Sequence, residues 1–192
     1  MSVGKPMAVA LMVAMAGCSA DYVEDGQASV LLIVADVNGG AVLDSDVRLG
    51  ADSTLICPDN VEVAVAVRHK NPNATAPSVP NAVVIERYDV RYFRSDTAGV
   101  EGIDVPYRVS GLITTAVDVA NSGTVGFPIE VVRRQAKLEP PLSGIAGFDI
   151  VTVIAEITIF GRTVSGDTVA GTGRLQIDFA DFGDTEDSCP TN

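Results

Sequence analysis

The stretch DIVTVIAEITIF at 149–160, followed by GRTVSG at 161–166 and VAGTGRLQIDF at 169–179, decides the fold. In its first segment Val151, Val153, Ala155, Ile157 and Ile159 recur at every second position, with Thr152, Glu156 and Thr158 among the residues between them. A strand turns successive side chains to opposite faces, so this period sets one apolar row against a core and leaves the other row to water. In the last segment Leu175, Ile177 and Phe179 face in, while Arg174, Gln176 and Asp178 face out. Two alternating runs joined by a glycine-bounded loop, Gly161 to Gly166, predict a β-hairpin.

The same period recurs upstream. Val61, Val63, Val65 and Val67 form one face of 61–68, and Glu62, Ala64, Ala66 and Arg68 form the other. Asn71-Pro72-Asn73, Pro77 and Pro80 then make His69 to Asn81 a loop. From Val83 to Arg94 the pattern resumes, with Val84, Tyr88, Val90 and Tyr92 expected inward and Arg87, Asp89 and Arg91 outward. Between Thr124 and Arg133, Val125, Phe127, Ile129 and Val131 alternate inward, and Pro128, which has no N–H for a ladder, predicts an edge strand.

Val105 to Ile113 reads as a further strand, with Pro106 also suggesting an edge, and Thr115 to Val119 as a short one. Ser29 to Val37, nearly unbroken in apolar residues and closed by Asn38-Gly39-Gly40, fits a strand buried on both faces, although periodicity alone leaves a helix open. Val42 to Leu49 is a weaker strand, and Gln135 to Phe148, with Pro140-Pro141, is a crossover loop with room for one helical turn. Seven to nine short strands without an amphipathic helix predict an all-β, antiparallel sandwich. The pattern resembles the immunoglobulin-like and fibronectin type III-like class. It lacks the core tryptophan and flanking cysteine pair of antibody domains. The strand, Asn71-Pro72-Asn73, strand order between Val61 and Tyr92 is also similar to the opening of the water-stress domains of late-embryogenesis-abundant proteins, themselves sandwiches of this shape.

The chain begins differently. Lys5 precedes an apolar run from Met7 to Met15, too short to span a bilayer, and Ala16-Gly17 leads into Cys18. That order reads as a secretory signal. Met15-Ala16-Gly17-Cys18 resembles a bacterial lipobox, which implies cleavage before Cys18 and a diacylglycerol on its thiol. Two or three acyl chains would make that anchor permanent. Ser19, where inner-membrane retention uses aspartate, favours the outer membrane, on its periplasmic or outer face. The expected organisation is a signal at 1–17, a lipidated cysteine and tether at 18–27, a sandwich at 28–183 and an acidic tail at 184–192. As a whole the chain looks like secreted bacterial lipoproteins.

Composition bounds the rest. The net charge of −12, more negative by one without Lys5, disfavours nucleic acid and anionic lipid as direct partners. With no tryptophan and 5% aromatics, the core must be Val, Ile, Leu and Ala. If Cys18 is acylated, Cys57 and Cys189 are left as an even pair suited to an oxidising compartment. A disulfide between them would close a loop of about 130 residues, worth roughly 5 kcal/mol by chain entropy. Free thiols remain the alternative.

Chemistry is sparse. The only histidine, His69, sits beside Arg68 and Lys70 in a proline-rich loop, and no Gly-x-Ser-x-Gly, phosphate loop or His-Glu-x-x-His pattern occurs. No cofactor is implied, save that calcium suits the acids flanking one turn, Asp36, Asn38, Asp44 and Asp46, and the C-terminal group Asp178, Asp181, Asp184, Glu186 and Asp187. Neither follows the EF-hand order. Tyr107 and Phe93 are the candidate surface aromatics for a sugar. The expectation is a non-enzymatic, lipid-anchored structural or interaction domain that meets another envelope protein. The alternative is a calcium- or carbohydrate-binding module on the cell surface.

Overall fold

The structure, a computed structural model, describes residues 28–48, 55–71, 73, 82–118, 124–182 and 189. Its strands are β1 (Val30–Val37), β2 (Leu43–Asp46), β3 (Asp59–His69), β4 (Val83–Phe93), β5 (Val109–Val117), β6 (Val125–Val132), β7 (Val151–Thr163) and β8 (Thr168–Ala180). One helical turn, α1 (Arg134–Lys137), and a 3₁₀ turn at Leu142–Gly144 occupy the expected crossover. The strands form a three-stranded sheet, β1-β3-β6, facing a five-stranded one, β2-β8-β7-β4-β5. In chain order these are the A, B and E strands of an immunoglobulin-like sandwich opposite its G, F, C and C′ strands. Every pair is antiparallel except β2 with β8, which is parallel: the chain crosses between sheets after β1 and runs beside the last strand.

The valine row of β3 and the row Val153, Ala155, Ile157 and Ile159 of β7 are all buried, as their period requires. Val90 and Tyr92 of β4, Phe127, Ile129 and Val131 of β6, and Leu175, Ile177 and Phe179 of β8 complete the inner layer. Each such aliphatic side chain contributes about 1.5–3 kcal/mol on burial. Tyr88 and Tyr92 reach across from β4 to the other sheet. Tyr88 Oη donates to the Glu130 carbonyl at 3.2 Å, and Tyr92 Oη donates to that of Val131. A buried phenol needs such a partner, and here the partners are backbone oxygens of β6.

Four sequence expectations are corrected. Val84 is exposed, while Val83 and Ile85 are buried. The register of β4 against both neighbours shifts between Ile85 and Arg87, so Glu86 and Arg87 both face out and strict alternation fails by one step. β1 is not buried on both faces. It is an edge strand with Leu31 at 47% and Ile33 at 40% exposure, and only its other face meets the core.

Gly161 is not in a loop but within β7, where an added Cβ would lie 2.8 Å from the Val84 carbonyl oxygen. A glycine inside an alternating run marked close approach of backbones, not a turn. Finally, β5 is one strand from Val109 to Val117. Pro106 precedes it, and Val105 makes only an isolated bridge to Glu101. Pro128 does lie on an edge strand, β6.

The seam between β1 and β8 closes through glycine. A Cβ at Gly171 would come 2.7 Å from the Leu32 carbonyl oxygen, and one at Gly173 would meet Val34 at 2.7 Å. Gly171→Ala is therefore expected to cost about 1–3 kcal/mol in urea unfolding. Gly144→Ala, with nothing within 4 Å of the added atom, should change stability by less than about 0.5 kcal/mol. Equal losses in the two variants would contradict the close packing of β1 on β8.

Candidate functional site

Cys18 and Asp184, with Glu186 and Asp187, lie outside the described residues. Cys57 and Cys189 are joined in a disulfide, with their α-carbons 5.4 Å apart. The acids proposed for calcium are dispersed. Asp36 Oδ2 accepts from the Gly39 amide at 2.7 Å, and Asn38 Nδ2 donates to the Ala41 carbonyl, so both brace the turn between β1 and β2. Asp44, the exposed residue of β2, stands in register with Asp178, which accepts from Thr152 Oγ1 at 2.7 Å. Asp46 is buried, with Oδ1 accepting from the Arg48 amide, and Asp181 follows β8. Among the described residues no three His, Cys, Asp or Glu side chains converge as a metal site. His69 ends β3 opposite Val30.

What the sequence did not single out is a buried polar node. Lys137, on α1, has only 1% of its side chain exposed. Its Nζ lies 3.0 and 2.9 Å from the two oxygens of Asp59 and donates at 2.7 Å to the Asp46 carbonyl. Ser45 Oγ donates to Asp59 Oδ2 at 2.6 Å. The node thus ties β2 of one sheet, the start of β3 of the other, and the helical turn after β6. A lone lysine among Gln135, Ala136 and Leu138 carries no periodic signal, so nothing in the sequence announces it.

Burial raises the Asp59 carboxyl above its ordinary value, with the Lys137 ammonium and the Ser45 hydrogen bond opposing. The same burial, reinforced by the charge of Asp59, pushes the Tyr92 phenol well up.

The second feature is on the outer face of the five-stranded sheet. Phe93 ends β4 in register with Ile154 of β7, and both point away from the core with 40% and 37% exposure. They floor two adjoining shallow hollows, of 410 and 430 Å³, walled by Arg94, Asp96, Ile150 and the Glu156–Arg174 pair. Arg91 lies 5.4 Å from the Phe93 ring centre and Arg87 3.5 Å from that of Phe160, both as cations over π faces. Arg94 grips Asp96 through two nitrogens at 2.9 and 2.6 Å, which holds that carboxyl below its usual range.

Arginine and aromatic side chains together on an open apolar floor are the composition of a protein contact. Tyr107, the other candidate aromatic, is exposed but packs over Gly102, away from the lining of these hollows.

No protein-family model matches the chain, and no curated protein matches it significantly. The described residues form an all-β sandwich of eight strands in two sheets.

Removing one member of the buried pair strands the other. Lys137→Met, which leaves the Asp59 carboxylate buried without its cation, should cost about 3 kcal/mol or more, and adding Asp59→Asn to it should recover part of that loss. A raised acid favours the fold where it is protonated. The Asp59 contribution is thus full below its ordinary value of 3.8 and is lost as pH rises through the raised folded value. Urea unfolding of Asp59→Asn across that window should show a flatter dependence on pH than wild type. An unchanged slope would remove Asp59 from the titration.

Proposed function

We propose that this chain is a non-enzymatic interaction domain of a bacterial envelope, anchored through lipid on Cys18, most consistently at the outer membrane. Its working surface is the Phe93–Ile154 floor. The observation that carries the contact is that floor itself, two apolar side chains held outward in register between arginines on a rigid sheet. A strand interior fixes their spacing, so a partner meets a preformed surface and little ordering is needed. The anchor rests on Met15-Ala16-Gly17-Cys18, and the Cys57–Cys189 bond agrees with an oxidising compartment. An acidic surface suits a domain held beside anionic lipid without lying on it through charge.

Feeding cells an alkyne-tagged fatty acid should label the wild-type chain and leave Cys18→Ala unlabelled. Label on both would remove the anchor from the reading. Photoreactive residues at Phe93 or Ile154 should give a discrete adduct with an envelope protein in living cells, while one at Val164, in the exposed β7–β8 turn, should give none. The same adducts from all three positions would show contact without a specific surface.

A further inference from the structure

The outer face of the narrow sheet is divided along its length, and the pairing registers show where. Leu31 stands opposite Arg68 and Ile33 opposite Ala66, while further along Asp36 meets Ala64, Glu62 meets Pro128 and Asn60 meets Glu130. The half that begins β1 thus carries two outward apolar side chains, Leu31 and Ile33, at 47% and 40% exposure, beside one arginine. Asp36, Glu62 and Glu130 all fall in the other half. Arg68 is exposed, and among the described residues its guanidinium reaches only the carbonyl of Val67.

The chain enters the sandwich at this same corner. Val30 pairs with His69, and the Lys70 amide donates to the Ser29 carbonyl at 3.0 Å. Only residues 19–27 lie between Cys18 and Ala28, the first described residue, and fully extended they reach about 30 Å. With Cys18 acylated, the corner is held within that reach of the bilayer, and a contact too weak to hold a free protein becomes an intramolecular one. Apolar side chains flanked by a cation suit the boundary between headgroups and acyl chains. The net charge of −12 keeps the rest of the domain off an anionic surface, so the contact is confined to this corner. Asp21, Glu24 and Asp25 of the tether oppose attraction by charge alone, so the apolar pair carries the contact and Arg68 orients it.

We propose that the Leu31–Ile33 corner of the narrow sheet rests in the headgroup layer of the bilayer that holds the chain's own anchor. This inference rests on the lipid at Cys18 proposed above. Leu31 and Ile33 enter the boundary of the acyl chains, Arg68 meets lipid phosphates, and the half with Asp36, Glu62 and Glu130 is tilted away. Phe93, level with Gln176 on the outer side of the other sheet, is left clear of lipid.

The chain contains no tryptophan, so a single introduced one is a unique fluorophore. The test places Ile33→Trp, or Leu112→Trp on the outer face of the wide sheet, in the acylated full chain. Each is reconstituted in vesicles of phosphatidylethanolamine and phosphatidylglycerol, with or without bromine on the acyl chains, where bromine quenches only a fluorophore that reaches it. Ile33→Trp should lose about half of its emission or more, and Leu112→Trp should keep its own, since an interfacial contact buries side chains by only about 5–10 Å. Adding Leu31→Glu or Arg68→Glu to Ile33→Trp should restore most of the emission. Equal quenching of the two reporters, or quenching of Ile33→Trp that survives both added substitutions, overturns the contact. So does an Ile33→Trp emission moved to shorter wavelength without quenching, the mark of a protein covering the face. Intact mass of the same sample reads the anchor separately. An acylated chain without quenching overturns the corner and keeps the anchor, whereas an unacylated chain overturns both.

Discussion

Three strands cannot cover five. The inner faces of both sheets are apolar and must be taken out of water together, yet the β2-β8-β7-β4-β5 sheet is wider than the β1-β3-β6 sheet laid on it. The centre of the wide sheet, β7 and β4, is covered fully, and its inward residues are among the most buried in the molecule. The margins need other solutions, and the two margins solve the problem differently. At the β2 margin α1 closes over the overhang, with Lys137 buried against Asp46. At the β5 margin nothing comparable is added among the described residues, and the inward residues Gly111, Ile113 and Thr115 stay only half-buried.

The charged node follows from the first solution. A cover made of one helical turn cannot hydrogen-bond all the backbone groups that it takes from water, and β2, four residues long, leaves carbonyls facing the cover. An ammonium with three donors meets this need: it reaches the Asp46 carbonyl and both oxygens of Asp59 together. Burying the pair costs more than it returns unless the geometry is satisfied on all sides. The Ser45 hydroxyl supplies the remaining bond on the Asp59 side. The node therefore contributes specificity of docking between the two sheets more than net stability, and it lies at the same end as the Tyr92 bond to Val131.

How far the sequence could be read follows the same division. Rows with period two, β3, β6, β7 and β8, were legible because burial of one face leaves a direct imprint on residue type. Val84 was misassigned because a bulge shifts parity without changing composition; only the pairing partners reveal it. The run from Val30 to Ala35 looked doubly buried because Leu31 and Ile33 are apolar yet exposed, and an exposed apolar residue is indistinguishable in sequence from a buried one. The lysine node was invisible because its members, Ser45, Asp59 and Lys137, are distant in sequence and each is ordinary alone. The Phe93 floor was half legible. Phe93 was singled out as a surface aromatic, but its pairing with Ile154 is a matter of register between strands far apart in the chain.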